Sequence, residues 1–277
     1  NAVAELSQGG TLALVPTMGA LHDGHLSLVE QARSAGTHVT VSIFVNPTQF
    51  APGEDFDRYP RELAADVEKL KAAGGVDAVF APSVDEMYPL GPDEQIAVDV
   101  GRLGDQLCGP HRPGHFTGVA TVVSKLLHVC RPHYAAFGLK DAQQFFILRR
   151  MVKAQLMGVD LLPVPTLREA DGLAMSSRNG FLDADARAQA PVIYEALMAA
   201  RREIERDEDE PRAIEARLAA RIDMTPMGRV QYAQVVTLPD LQPATDLRAG
   251  QRLLVAVAAY FGDTRLIDNV IVEVPTP

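Results

Sequence analysis

The 277-residue sequence has few cysteines, little positive charge and no long apolar run. We interpret its two cysteines, Cys108 and Cys130, as buried or incidental thiols rather than as a disulfide pair. No apolar run approaches the roughly 20 residues that span a bilayer, so we expect no membrane partner. The first ten residues lack the basic and apolar regions of a secretory signal, and the start at Asn1 suggests that the natural start is missing. We therefore expect a cytoplasmic protein.

Basic residues are scarce relative to acidic ones. The 26 Lys and Arg residues stand against 36 Asp and Glu residues, which gives a net charge of −10. This balance argues against a nucleic-acid partner, because binding a phosphate backbone requires a basic face. A phosphorylated small molecule would need a local group of basic side chains. The apolar fraction of 47% is typical of a globular chain with a sizeable core.

The first part of the chain alternates strand-like and helix-like segments. The predicted strands are 11–15, 39–45, 77–80, 134–137 and 160–164, and the predicted helices between them are 25–35, 61–73, 117–130 and 141–157. Repeated alternation of this kind predicts an α/β fold with a Rossmann-like, doubly wound parallel sheet.

The pattern changes after residue 165. Two predicted helices, 183–207 and 211–223, precede three predicted strands, 230–237, 252–260 and 265–274. Helices followed by a run of strands predict a second, smaller α+β domain. We place the domains at residues 1–166 and 167–277.

The densest group of candidate residues is PTMGALHDGH at 16–25, between the first predicted strand and helix. Ligands of open parallel sheets bind beyond the carboxyl ends of the strands, where this segment falls. Gly19 and Gly24 allow close backbone approach, and a helix beginning near Gly24 offers N–H groups to a phosphate. His22 and His25 can both donate hydrogen bonds to a pyrophosphate. A structural histidine pair or a metal site is the alternative, although no further zinc ligand stands at suitable spacing.

Two further segments carry polar residues after predicted strands. In GLKDAQQ (138–144), Lys140 can act as a point charge on phosphate oxygens. In GLAMSSRN (172–179), the hydroxyl groups and Arg178 can hold a triphosphate. Each segment alone is a weak signal, because such loops are usually only solvated. Their joint occurrence in one sheet favours a nucleotide site.

The sequence also resembles a known family. His22-Asp23-Gly24-His25 and Met175-Ser176-Ser177-Arg178 are similar to the HxGH and KMSKS-like motifs of the nucleotidyltransferase superfamily that includes class I aminoacyl-tRNA synthetases. Between Leu14 and Leu182, the blocks PTMGALHDGH, SIFVNPTQF, DRYPR, HFTGVATVVSKLL, GLKDAQQ and READGLAMSSRN together resemble the pantothenate synthetase (pantoate–β-alanine ligase) family.

The resemblance implies an ATP-dependent ligase. Such an enzyme condenses (R)-pantoate with β-alanine to give pantothenate, AMP and diphosphate through a pantoyl-adenylate intermediate. Residues 1–166 would bind ATP and pantoate, and residues 167–277 would act as a lid. The resemblance further implies Mg²⁺ accompanying ATP and a homodimer formed through the N-terminal domain.

Site residues follow from the matching positions. The resemblance implies catalytic roles for His22, His25, Lys140 and Arg178, with His25 as a hydrogen-bond or proton donor to the phosphates. The implied ATP-binding residues are Met18, Gly19, Ala20, Leu21, His22, Asp23, Gly24, His25, Gly138, Leu139, Lys140, Asp141, Leu167, Met175, Ser176, Ser177 and Arg178.

The resemblance assigns pantoate to two amide side chains, Gln49 and Gln144, and Gln49 would also face β-alanine. An amide suits a hydroxyl-bearing substrate because it offers both a donor and an acceptor. Further residues that match family blocks near the site are Asn46, Tyr59, Arg112 and His115.

The chain departs from the family pattern at two positions. Leu139 stands where the family usually has Glu, and Ala142 where it usually has an aromatic residue. Neither change removes a residue with a direct chemical role, so the expected activity stands. Asp66 could act as an outer magnesium ligand, but we interpret it as a surface carboxylate on a helix.

Two alternative functions remain open at this point. Another adenylyltransferase of the superfamily would transfer AMP to a phosphate, and its acceptor site should need more basic residues than Gln49 and Gln144 provide. A silent nucleotide-binding protein would be expected to lack His25, Lys140 or Arg178, and all three are present.

Overall fold

The computed structural model describes residues 9–51, 53–206 and 210–276. The predictions for the first eight residues and for position 207 therefore lie outside the described residues. The chain divides into two compact units. The first comprises residues up to 105, 109–139 and 144–165, and the second comprises 106–108, 140–143 and the residues from 166 onward. In the described part of the chain, no helix is long and apolar enough to cross a membrane.

The first unit is built around a five-stranded parallel sheet. Its strands are β1 (Leu12–Thr17), β2 (His38–Ile43), β3 (Ala78–Phe80), β4 (Tyr134–Gly138) and β5 (Asp160–Val164), in the order β3-β2-β1-β4-β5. The helices are α1 (Asp23–Ala35), α2 (Leu63–Ala73), α3 (Val84–Met87), α4 (His115–Cys130) and α5 (Ala142–Ala154). The predicted doubly wound sheet is confirmed.

The central strand of this sheet is β1, which pairs with β2 on one side and β4 on the other. Its first four residues, 12–15, are completely buried, as expected of a strand that is covered on both faces. On α1, Leu28, Val29 and Ala32 form the buried face and belong to the same core as β1. This spacing is the one that predicted the helix.

The second unit consists of helices followed by an antiparallel sheet. Its helices are α6 (Ala184–Gln189), α7 (Val192–Glu205) and α8 (Pro211–Asp223), and its strands are β6 (Gly228–Thr237), β7 (Arg252–Phe261) and β8 (Thr264–Glu273), in the order β6-β7-β8. The predicted α+β architecture is confirmed. Its core combines the apolar faces of α7 and α8 with buried residues of β7.

The prediction of a single helix over 183–207 is wrong. Asp183 caps α6 by accepting a hydrogen bond from the Ala186 N–H at 2.8 Å, and α6 ends at Gln189. Pro191 has no N–H to continue the helical hydrogen bonds, and its ring crowds the carbonyl four residues earlier. The chain therefore begins a new helix, α7, at Val192.

The thiol interpretation is confirmed, since Cys108 and Cys130 are both buried and free. Cys130 ends α4 and is completely buried. Burial raises the pKa of the Cys130 thiol to about 12, so this side chain is an apolar core residue rather than a nucleophile.

The interpretation of Asp66 as a surface carboxylate is wrong. The residue is only 2% exposed, and its two oxygens accept hydrogen bonds from the backbone N–H groups of Ala20 (3.0 Å) and Leu21 (2.8 Å). Gly19 and Ala20 both have left-handed backbone, with φ of 81° and 50°. A Cβ at position 19 would lie 2.8 Å from the Asp66 carboxylate. Asp66 therefore fixes the loop that follows β1.

We expect Asp66→Asn to lower the free energy of unfolding of the first unit by about 2 kcal/mol, because the amide accepts only one of the two buried N–H bonds. Urea denaturation followed by circular dichroism measures the change. The control is Glu68→Gln on the same helix, whose exposed ion pair with Lys71 contributes little. Equal urea midpoints for the two variants would contradict the assignment.

Candidate functional site

The sheet order defines where a ligand crevice is expected. Strand order reverses between β1 and β4, and open parallel sheets bind ligands beyond the carboxyl ends of the strands at such a point. The parallel register pairs Thr17 with Ile43, so β1 and β2 end at the same edge. The segments 18–22, 44–49 and 138–139 leave this edge after β1, β2 and β4. Most candidate residues of the first unit lie on these segments or begin the helices that follow them, whereas Tyr59, Arg112 and His115 lie in other parts of the unit.

The structure brings His22 and His25 together at the start of α1. Their ring centroids are 4.1 Å apart. His22 Nδ1 accepts a hydrogen bond from Gly24 N–H at 3.1 Å, and His25 Nδ1 accepts one from His22 N–H at 3.2 Å. A ring nitrogen that accepts a hydrogen bond carries no proton, so this network assigns the proton of each neutral imidazole to Nε2. Both histidines therefore present an N–H donor beside the helix N-terminus.

The alternative of a histidine metal site finds no support in this arrangement. The Nδ1 atoms of His22 and His25 are occupied by backbone N–H groups. Across the ranges that the structure describes, no group of three or more His, Cys, Asp or Glu side chains is placed to hold a metal ion. The pair is thus suited to donating hydrogen bonds.

Gln49 lies in a buried amide network beside Met18. Its Oε1 accepts a hydrogen bond from Asn46 Nδ2 at 3.2 Å, and its Nε2 lies 2.8 Å from the Met18 sulfur. Asn46 is 1% exposed and is itself fixed by the Tyr88 hydroxyl at 2.6 Å and the Gly118 carbonyl at 3.2 Å. Because Asn46 engages the oxygen, the Gln49 amide presents its N–H₂ group toward Met18.

A second network holds the backbone of Gln49. Arg112 binds both oxygens of Glu54 at 2.7 and 2.6 Å, and its Nη1 lies 3.0 Å from His115 Nε2. The guanidinium can only donate, so His115 Nε2 accepts and its Nδ1–H donates to the Gln49 carbonyl at 2.7 Å. The candidates Arg112 and His115 therefore act on Gln49 through its backbone.

Glu54 is a member of this network that sequence reasoning missed. It lies in none of the blocks that resemble the family. The only hint of its role in the sequence is that an acidic residue follows Gln49 by five positions. Burial would raise the pKa of Glu54, but hydrogen bonds and charge from Arg112 outweigh that effect and lower it. A lowered pKa means that the ion pair is kept at neutral pH and is lost only as the pH falls below the usual range of a glutamate.

The other first-unit candidates follow β4. Gly138 is the last residue of the strand, Leu139 follows it, and Gln144 lies on the first turn of α5. All three are half-buried. They occupy the carboxyl end of the strand adjacent to β1, as the sheet order requires.

Lys140 and Asp141 group with the second unit. They form a single 3₁₀ turn, Leu139–Asp141, in which Lys140 Nζ lies 3.8 Å from the Asp141 carboxylate. The Lys140 carbonyl accepts a hydrogen bond from Asn269 Nδ2 at 2.8 Å. Ala142, one of the two departures, is 3% exposed, so its small side chain is packed in the interior.

The candidates Leu167 and Met175–Arg178 form one local structure in the second unit. Met175 N–H donates to the Leu167 carbonyl at 3.0 Å, and Arg168 pairs with Ala174 across a short antiparallel bridge. Ser176 then caps the turn Ser177–Phe181 by accepting a hydrogen bond from Arg178 N–H at 3.3 Å. The structure thus brings Leu167 and the Met-Ser-Ser-Arg segment together.

Ion pairs that sequence reasoning missed support this loop from its outer side. Arg187 on α6 binds Glu169 and Asp171, each at 2.6 Å. Hydrogen bonding from Arg187 holds the pKa of Asp171 below its usual range. Asn179 donates to Glu169 at 2.7 Å and to the Ala174 carbonyl at 3.1 Å. No local motif links these residues, because Arg187 follows Glu169 by 18 positions and Asp171 by 16.

Comparison with known sequences gives a consistent result. The sequence profile of the Pantoate-beta-alanine ligase family matches residues 1–271. The pantothenate synthetase of Salinibacter ruber is 53% identical over 280 residues, which cover 99% of this chain and 95% of that protein. The pantothenate synthetase of Alcanivorax borkumensis is 52% identical over 95% of this chain and 90% of its own length.

Solved structures agree with the sequences. Pantothenate synthetase from Thermus thermophilus superimposes with a TM-score of 0.88 at 44% identity and covers 99% of this chain and 98% of its own. Pantoate-beta-alanine ligase from Francisella tularensis, solved with Beta-gamma ATP and β-alanine, gives a TM-score of 0.76 at 34% identity over 95% of this chain and 90% of its own. The chain therefore belongs to the pantoate–β-alanine ligase family.

Proposed function

We propose that the chain performs the pantoate–β-alanine ligation of its family through a pantoyl-adenylate intermediate. A carboxylate is a poor acyl donor because its oxygen leaves poorly. The carboxylate of (R)-pantoate attacks the α-phosphorus of ATP and releases pyrophosphate, and the amine of β-alanine then attacks the acyl carbon and releases AMP. The Francisella tularensis relative, which was solved with Beta-gamma ATP and β-alanine, supports these substrates.

The observation that carries this proposal is the pair of Nε2–H donors of His22 and His25 at the N-terminus of α1. Charge accumulates on pyrophosphate as it leaves, and fixed donors beside a helix N-terminus stabilise such charge without rearranging. Little covalent chemistry is required of the protein, because phosphoryl transfer depends mainly on positioning and charge. We assign His25 the role of hydrogen-bond or proton donor.

Lys140 and Arg178 complete the proposed set of phosphate-binding side chains. A lysine supplies a point charge, and a guanidinium offers several donors to phosphate oxygens. The remaining proposed nucleotide contacts come from the loop 18–25, from residues 138, 139 and 141, and from residues 167 and 175–177. The N–H groups of Ala20 and Leu21 are bound by Asp66, so these two residues would shape the loop around the nucleotide rather than donate to it.

Gln49 and Gln144 are the proposed pantoate-binding residues. The Nε2 group of Gln49 now donates to the Met18 thioether, which is a weak acceptor. A substrate hydroxyl or carboxylate is a stronger acceptor, so the Gln49 N–H₂ group can exchange its hydrogen bond with sulfur for one with pantoate. The networks around Asn46 and Arg112 hold the glutamine in place.

Magnesium is proposed as a companion of ATP rather than as a resident ion. The described residues contain no group of three metal-binding side chains, and both oxygens of Asp66 already accept backbone N–H groups. Mg²⁺ commonly keeps several waters and binds through substrate phosphates. When bound, it would supply charge to the phosphates, and we assign it no protein ligand.

The cytoplasmic location and the homodimer also belong to this proposal. The two free, buried thiols are consistent with a reducing compartment. The homodimer through the N-terminal domain rests on family likeness, and light scattering tests it.

The alternatives of another adenylyltransferase and of a silent protein are not retained, because the family match covers nearly the whole chain.

The first prediction from the proposed function concerns the reaction itself. Protein mixed with ATP, magnesium, pantoate and β-alanine should release AMP only when both acids are present. With pantoate that carries oxygen-18 in its carboxylate, the label should appear in AMP, because that oxygen stays on phosphorus when the acyl group leaves. Unlabelled AMP would exclude the adenylate route, and AMP release without β-alanine dependence would contradict the ligase assignment.

The second prediction concerns the phosphate-binding side chains. His25→Ala and Lys140→Ala should each slow adenylate formation about 100-fold or more, which is the usual effect of losing a fixed donor to developing charge. Rapid-quench measurement of pyrophosphate gives the rate. The exposed residues His128 and Lys153 provide matched controls, and their alanine variants should react at the wild-type rate. Rates near wild type for the site variants would refute these roles.

The third prediction concerns the support of Gln49. Arg112→Lys keeps the positive charge but cannot bind both oxygens of Glu54 and His115 at once. We expect the KM for pantoate to rise about tenfold, since a loosened Gln49 loses much of a hydrogen bond, or about 1.4 kcal/mol. Steady-state kinetics measures the change, with the exposed Arg201→Lys as the control. An unchanged KM would show that the network does not act on pantoate binding.

A further inference from the structure

Strand β8 carries two adjacent buried polar residues, Asp268 and Asn269. Their exposed fractions are 3% and 7%. A buried carboxylate is costly unless it is paired and hydrogen-bonded. Burial raises the pKa of Asp268, and Arg168 opposes that rise. The hydrogen-bond partners of Asp268 and Asn269 compensate for this burial.

Asp268 is held by a forked ion pair with Arg168. Arg168 Nη1 lies 2.6 Å from one carboxylate oxygen, and Nη2 lies 3.0 Å from the other. The Asn269 N–H also donates to Asp268 at 2.7 Å. The guanidinium lies 3.9 Å above the centre of the Tyr194 ring. The carboxylate therefore holds the edge of the Arg168 guanidinium, and the Tyr194 ring packs against its face.

Arg168 in turn fixes the loop before Ser176. Its Nη1 donates to the Gly172 carbonyl at 3.1 Å, and its backbone pairs with Ala174. Gly172 has a φ of 93°, and a Cβ there would lie 2.5 Å from the Tyr194 ring. The loop is thus closed around the Arg168 side chain, directly before the segment that ends in Arg178.

Asn269 reaches the other proposed phosphate-binding segment. Its Nδ2 donates to the Lys140 carbonyl at 2.8 Å, across 129 positions of sequence. A continuous set of contacts therefore runs from Lys140 through Asn269, Asp268 and Arg168 to Gly172. All of these residues belong to the second unit.

We propose that Arg168, Asp268 and Asn269 form a positioning network that sets the backbone of Lys140 and the loop leading to Arg178. This inference deepens the proposed function and rests on it, because it assigns a purpose to the network only if these two cations bind phosphate. None of the three is a catalytic residue. They act through the segments that they hold.

Stability alone does not explain such a network. Replacing a buried ion pair by well-packed apolar residues is often neutral or stabilising, whereas a forked pair fixes geometry in a way that apolar contacts do not. A displacement of about 1 Å at a reacting group can cost on the order of 100-fold in rate. A network that defines the position of a phosphate-binding lysine therefore has a measurable function.

The test uses the full chain and Asn269→Ala, which removes the donor to Lys140 while leaving the ion pair in place. We expect kcat for adenylate formation to fall about tenfold, with the KM for pantoate unchanged and the urea midpoint no lower than that of Gln189→Ala. In the Lys140→Ala background, Asn269→Ala should cause no further loss, because the network acts through that lysine. Gln189→Ala is the control, since it removes a comparable bond to the Met227 N–H in the same unit.

Several results would overturn the proposal. One is a wild-type kcat for Asn269→Ala. A second is a further tenfold loss of kcat when Asn269→Ala is added to Lys140→Ala. A third is a loss of kcat in the Gln189→Ala control equal to that in Asn269→Ala. Each would leave the ligase assignment intact, because the wild-type enzyme would still form AMP from both acids. A wild-type protein that forms no AMP would instead overturn the proposed function and this inference together.

Arg168→Lys tests the ion-pair part of the network. The lysine keeps a positive charge opposite Asp268 but cannot hold both carboxylate oxygens and the Gly172 carbonyl. We expect a lower kcat for adenylate formation with an unchanged KM for pantoate. A wild-type kcat in a folded Arg168→Lys protein would remove the ion pair from the proposal.

Discussion

The burial of β1 between two parallel neighbours is the constraint on which the first unit depends. Residues 12–15 are inaccessible, and the strand is paired along both edges. Parallel pairing leaves the loops after β1, β2 and β4 at one edge. The loop after β1 then receives its shape from Asp66, which accepts two of its N–H groups. The buried strand β1 and the Asp66 carboxylate thus determine where α1 starts, and with it the positions of His22 and His25.

Carboxylates paired with arginines recur as structural anchors in this acidic chain. Glu54 is matched by Arg112, Asp268 by Arg168, and Glu169 and Asp171 by Arg187. Each of these arginines has its charge compensated locally, so it contributes position more than positive potential. The net charge of −10 therefore says little about a small-ligand site, because the field at such a site is set by neighbouring groups.

The sequence predicted what depends on local pattern. The apolar spacing on α1 and the β-branched run of β2 predicted their elements, and the glycines and histidines after β1 indicated a ligand loop. The prediction of a single helix over 183–207 was wrong at Pro191. The apolar periodicity on both sides of this proline suggested one continuous helix, although the proline itself is a local signal for a break. Asp66, Glu54 and Asp268 could not be predicted, because each is defined by partners 46, 58 and 100 positions away. Contacts at such separations follow from the fold and leave no local signal.

The same distinction separates two ways of holding a polar ligand. His22 and His25 derive their donors from a local capping arrangement, so their Nε2 protons are set by the backbone of α1 alone. Gln49 and Lys140 instead take their positions from side chains of distant segments, Arg112 and His115 in one unit and Asn269 in the other. A local cap withstands changes elsewhere in the chain, whereas a position set by distant partners changes with the packing of its unit. Substitutions remote in sequence, other than those at Asp66, should therefore affect Gln49 and Lys140 more than the histidine pair.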